Sequence, residues 1–99
     1  GTNNAGVYND VSSSPSMTDV IATASGGTNN YGVHNDESSP TIRNSSITGT
    51  TASIYNIGTG PTADVAYTML EGGAVSGTGF TCVGVYTELF VELDVACVP

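Results

Sequence analysis

An all-β solenoid of stacked coils is the fold class this sequence predicts, on three observations. The phrase GTNNAGVYND at residues 1–10 returns as GTNNYGVHND at residues 27–36, with eight of ten positions identical. Each copy runs into a Ser-rich turn closing on proline, VSSSP at Pro15 and ESSP at Pro40, and a weaker third copy, SIYNIGTGP, closes on Pro61. Between these phrases Gly, Ser, Thr and Asn dominate, and such residues favour turns and extended structure over helix. A repeat of about 20–30 residues cannot bury an apolar face alone, so its copies must stack.

Laid over each other through their prolines, the copies give about four coils in a chain too short for a second core. The first runs from GTNNAGVYND through SPSMTDVIATAS and the second from GTNNYGVHND through SPTIRNSSITGT. The third is TASIYNIGTGPTADVAYTML and the divergent fourth is FTCVGVYTELFVELDVACVP. EGGAVSGTG, between the last two, reads as a loop. One domain results, with coils and a Gly-rich connection over residues 1–77 and the last coil and C-terminal cap over residues 78–99.

Two strand patches recur in each coil. The first centres on Val7, Val33, Ile54 and Val85, whose outward neighbours are Tyr8, His34, Tyr55 and Tyr86. Period-two alternation puts the aliphatic residue inside and the aromatic outside. Stacking then yields an aliphatic row within, an aromatic row outside and an Asn row from Asn9, Asn35 and Asn56 at the corner. In the second patch Met17, Ile42 and Ala63, each two residues past a proline, are expected in the core, with Thr18, Arg43 and Asp64 in solvent. That register puts Arg43 one rung from Asp64 as an ion pair.

GVYND with SSP, then PTIRNSSITG, TASIYN and the closing GFTCVGVY, resembles the repeats of bacterial right-handed parallel β-helix proteins. The similarity covers nearly the whole chain, and it implies a short right-handed parallel β-helix of secreted or surface type. It implies little about function. Residues 78–99 depart from the repeat and look like the closing part of such a helix, with Phe80, Leu89, Phe90, Leu93 and Val95 expected to cover its end. The other end lacks such cover: Gly1 begins inside a repeat and leaves a strand edge open to addition. Either upstream coils precede it, another molecule pairs there, or a monomer tolerates a frayed first coil.

Charge narrows the partners. Nine acids stand against one base, Arg43, for a formal net charge of −8, which argues against nucleic acid and anionic membrane. The chain opens without a signal-like segment, and no apolar run approaches the roughly 20 residues of a membrane span. VAYTML, FTCVGVY and LFVELDVACV are too apolar for a disordered chain. Cys82 and Cys97 flank the last apolar segment and point to one disulfide, with two reduced core thiols as the alternative.

Chemistry is sparse. Among the β-helix proteins that this chain resembles, enzymes that cleave acidic polysaccharide by elimination generally need Arg or Lys, and this chain offers one Arg and no Lys. Asp10, Asp36 and Glu37 are candidates for an acid pair or a calcium site, against their ordinary use as turn residues. His34 takes the outward aromatic position of its coil rather than a triad. TGTT at residues 48–51 lacks the regular spacing of an ice-binding Thr array. The row Tyr8, His34, Tyr55 and Tyr86 is the candidate carbohydrate-binding surface, against simple stacking within the sheet. Asn44 opens the sequon Asn44-Ser45-Ser46 and is a candidate glycosylation site. No cofactor is implied. The expectation is a non-catalytic extracellular or cell-surface building block that self-associates head-to-tail into a filament or surface assembly. The alternative is a carbohydrate-binding or adhesion segment of a larger surface protein, with a polysaccharide-degrading enzyme behind it.

Overall fold

The structure is a computed structural model that describes residues 3–58, 60 and 62–99. Gly1, where the first repeat begins, and Pro61, the anchor of the third copy, lie outside the described residues. Among the described residues there are strands and no helix. The strands are β1 (Asn3–Asn9), β2 (Ser16–Thr18), β3 (Ile21–Ala24), β4 (Asn29–Asp36), β5 (Thr41–Arg43), β6 (Ser46–Gly49), β7 (Ala52–Ile57), β8 (Ala63–Ala66), β9 (Met69–Gly72), β10 (Phe80–Val83) and β11 (Tyr86–Thr87). They form three parallel sheets, β1-β4-β7, β2-β5-β8-β10 and β3-β6-β9-β11. Each strand therefore pairs with its counterpart one pass later, and the chain visits the three sheets in rotation.

The repeat dictates this register. Val7 lies beside Val33 and Val33 beside Ile54, with Tyr8, His34 and Tyr55 aligned one position on. Val33, Ile54, Ile42, Ile47, Val65 and Val85 are fully enclosed and form one core with Met17, Leu70 and Cys82. Between the second and third sheets each pass turns on one residue with positive φ: Asp19 (57°), Asn44 (51°), Tyr67 (50°) and Gly84 (62°). Asp and Asn tolerate this left-handed geometry through local hydrogen bonds. The next residues add a hydroxyl row that sequence reading missed. Ser45 Oγ accepts the Val20 amide at 3.1 Å and donates to the Arg43 carbonyl at 2.8 Å, and Thr68 repeats the pattern one pass later.

Three expectations are corrected by the register. The fourth member of the first row is Val75, not Val85, and Tyr86 is not in the aromatic row. Tyr55 pairs with Ser76, so the Gly-rich stretch read as a loop is the first-sheet pass of the fourth coil. It pairs too briefly to carry a strand signature. FTCV then belongs to the second sheet, and Tyr86 pairs with Met69 on the third. The offset between equivalent residues falls from 26 at Asn9–Asn35 to 21 at Asn35–Asn56 and stays 21 at Tyr55–Ser76, so the spacing of the two strong copies does not carry to the last pass.

The second correction concerns the post-proline row, which runs Met17, Ile42, Val65, Cys82. Ala63 is buried but stands two residues early. Nine residues separate Asn56 from Val65, against seven between Asn35 and Ile42, and this longer corner displaces the count. Arg43 consequently faces Ala66 while Asp64 faces Thr41, so the expected rung-to-rung ion pair gives way to a two-residue diagonal.

The third lies in the C-terminal cap. Its tail returns across the last pass: Cys82 N–H donates to the Val95 carbonyl at 2.9 Å, and Leu93 N–H to the Val85 carbonyl at 2.8 Å. A Cys82–Cys97 disulfide closes a separation of 15 residues. Leu93 and Cys97 are buried and Phe80 packs on the core, but Leu89, Phe90 and Val95 are two-thirds or more exposed. The Thr87 hydroxyl receives the Leu89 and Val91 amides at 3.2 and 3.4 Å. That tight turn throws Leu89 and Phe90 outward instead of over the core.

Candidate functional site

The first sheet carries most of the candidate residues. On its outer face Tyr8, His34 and Tyr55 sit on successive strands, and Tyr31 joins them. Ring centroids lie 4.8 Å apart for Tyr8–His34, 5.1 Å for His34–Tyr55 and 5.3 Å for Tyr31–His34. Tyr31 stacks on Tyr55 at 4.5 Å. Strict alternation puts Tyr31 on the same side as Val33, which is why sequence reading passed it over. The alternation breaks at Gly32 and Val33, both buried. A Cβ at Gly32 would come within 2.5 Å of Ile47 Cγ2 and 2.7 Å of the Ser53 carbonyl, so only glycine lets the strand bend into the core there.

His34 is the half-buried centre of this cluster, and its Nε2 is buried without a hydrogen-bond partner. Burial pushes its pKa below the ordinary 6.5, and the negative charge of Asp36 opposes that shift. Tyr8 hydroxyl donates to Asp36 Oδ2 at 3.1 Å. That hydrogen bond holds the phenol above its ordinary value, with desolvation and the charges of Asp36 and Asp10 adding to it.

At the inner corner of the same sheet runs the expected Asn row. Asn9 Nδ2 donates to Asn35 Oδ1 at 2.8 Å, Asn35 Nδ2 to Asn56 Oδ1 at 2.8 Å, and Asn56 Nδ2 to the Thr78 carbonyl at 2.9 Å. The row has a direction. Its last donor is satisfied by the fourth pass, whereas its first member, Asn9, receives no Asn donor among the described residues. A second, shorter pairing links Asn4 Nδ2 to Asn30 Oδ1 at 3.2 Å, and Asn29 Nδ2 donates to Asn3 Oδ1 at 2.9 Å. The doubled Asn of the GTNN phrase is thus a coil-to-coil clamp.

The acids serve their own turns. Asp10 Oδ1 accepts the Val11 amide at 2.7 Å, Asp36 accepts Tyr8, and the Glu37 side chain lies against Gly58. Among the described residues no three of His, Cys, Asp and Glu converge to hold a metal ion. The Thr50 and Thr51 hydroxyls both engage Asn30 rather than forming an outer array. Asn44 is exposed on its corner, with Nδ2 donating to Asp19 Oδ1 at 2.6 Å. Tyr86 lies apart from the cluster on the third sheet, near Tyr67 and Phe90. Comparison with family models, with curated proteins and with solved structures returns no match to this chain.

Proposed function

We propose that this chain is a non-catalytic structural module of the extracellular space or cell surface. It is a short right-handed parallel β-helix of the bacterial repeat type that associates with a second copy through its first coil. Rotation of the chain through three parallel sheets supports the coil reading. One asymmetry carries the associative part. Among the described residues β1, β2 and β3 each form one edge of their sheet and no Asn donates to Asn9, while the disulfide-linked tail pairs over the far end. An unpaired strand edge is a template for another chain.

Of the two modes of association, we favour edge-to-edge pairing of two first coils, which uses the edges of β1, β2 and β3 and closes as a dimer, over head-to-tail stacking, which would also engage the end that the tail pairs over. The Cys82–Cys97 disulfide fits an oxidising compartment, and no helix among the described residues is long and apolar enough to cross a membrane. Sedimentation equilibrium tests the reading. A mass approaching twice the 10.0 kDa chain is expected, rising with salt as repulsion between chains of charge −8 is screened. A concentration-independent monomer would sink it.

A carbohydrate-binding or adhesive role is the second reading, favoured by the Tyr8–His34–Tyr55 row and its extension to Tyr31. Retention on a glycan array that Tyr8→Ala and Tyr55→Ala both abolish would support it. Retention unchanged in strength in both variants would remove it.

A further inference from the structure

At the corner between the second and third sheets lies a groove of about 350 Å³ walled by Tyr67, Tyr86 and Phe90, with Ser45, Thr68, Met69 and Gly84 also lining it. We propose that this groove binds one ring of a neutral oligosaccharide, the pyranose C–H face stacking on the aromatic walls. Its size falls in the range of small-molecule sites, roughly 300–1,000 Å³.

Backbone geometry singles the groove out. Tyr67 and Phe90 have φ of 50° and 61°, a region where bulky residues are rare and where strain points toward a role. At the same corner the neighbouring coils use Asp19, Asn44 and Gly84, residues at ease in that conformation. Burial does not account for the exceptions, since Tyr67 is 69% and Phe90 80% exposed. The Tyr67 ring instead lies across Gly84, where an added Cβ would come within 2.7 Å of its Cδ1. The glycine thus sets the ring's position as one wall. The Thr87 turn holds Phe90 as the other.

Charge selects the ligand class. None of the groove's lining residues is charged, whereas the neighbouring hollows carry Glu92 and Asp94, or Glu88. A cation finds no carboxylate in the groove, and a polyuronate meets the net charge of −8. Ser45 and Thr68 hydroxyls each donate to a main-chain carbonyl and accept an amide, so they build the groove. The phenols of Tyr67 and Tyr86 are the groups left to meet sugar hydroxyls. This site shares no residue with the Tyr8 cluster or with the first-coil edge, and it stands independently of both readings.

NMR titration of the whole chain with cellohexaose, maltohexaose and N-acetylchitohexaose tests the proposal, with hexagalacturonate and decaproline as competing ligands. At least one neutral hexaose is expected to shift the Tyr67, Tyr86 and Phe90 ring signals with a millimolar Kd. Phe90→Asn removes a wall with a residue suited to that φ, and Tyr86→Ala removes another; each is expected to weaken binding about tenfold. Ile57→Ala, an exposed aliphatic outside both aromatic clusters, is expected to leave it unchanged. Absence of shifts with all three neutral sugars, preference for hexagalacturonate or decaproline, or loss in Ile57→Ala with retention in Phe90→Asn would each overturn the proposal.

Discussion

Asn35 accepts from Asn9 and donates to Asn56, both at 2.8 Å, with its side chain wholly out of solvent. One residue thereby clamps three successive coils through a single carboxamide. Removing it as Asn35→Ala leaves the Asn56 carbonyl oxygen without its donor and the Asn9 amide with only the weak acceptor Met17 Sδ at 4.0 Å, each loss costing about 1–3 kcal/mol when buried. A fall in Tm of roughly 10–20 °C is expected by calorimetry. Asn9→Ala, which orphans only one group at the open end, is expected to cost less than half as much.

His34 should make stability depend on pH. Burial holds its folded pKa below the ordinary 6.5, so the unfolded chain takes up the proton first. Stability from this group is therefore full above about pH 6.5 and is lost as pH falls from there through the folded midpoint. An NMR titration of the His34 ring is expected to give a midpoint below 6.5. Asp36→Asn removes the opposing charge and is expected to move that midpoint lower still.

Reduction of Cys82–Cys97 releases the tail that pairs over β10 and β11. A loop of 15 residues corresponds to about 3 kcal/mol in the chain-entropy model. The paired variant Cys82→Ala with Cys97→Ala is expected to lower Tm, and faster amide exchange at Leu93 and Cys82 would locate the loss at the cap.

Gly32 is expected to tolerate no side chain. Its added Cβ meets the Ser53 carbonyl and Ile47 at under 3 Å, and main-chain atoms there cannot step aside cheaply. Gly32→Ala should destabilise by about 1–3 kcal/mol through overpacking. It should also disturb Tyr31, visible as altered nuclear Overhauser contacts between Tyr31 and Tyr55.

The first three passes were legible because Val7, Val33 and Ile54, with the Asn that follows two residues later, recur in phrase with their neighbours. The local spacing survives even where the coil length changes. What failed was counting across corners. Val65 was missed for Ala63 because the third corner is longer, and Val75 was missed for Val85 because Gly73 and Gly77 erase any strand pattern around it. Tyr31 was hidden by a bend at Gly32 that alternation does not anticipate. Phe90 and Leu89 carry apolar side chains, and hydrophobicity alone gives no sign of the Thr87 turn that exposes them.

The first coil is the proposed associating edge, and amide hydrogen exchange across a dilution series reads that edge directly. Outward-facing amides of β1, β2 and β3 are expected to be protected at high protein concentration and to lose protection on dilution, with β4, β5 and β6 unchanged. Equal exchange of the first-coil amides at every concentration would contradict association through this edge.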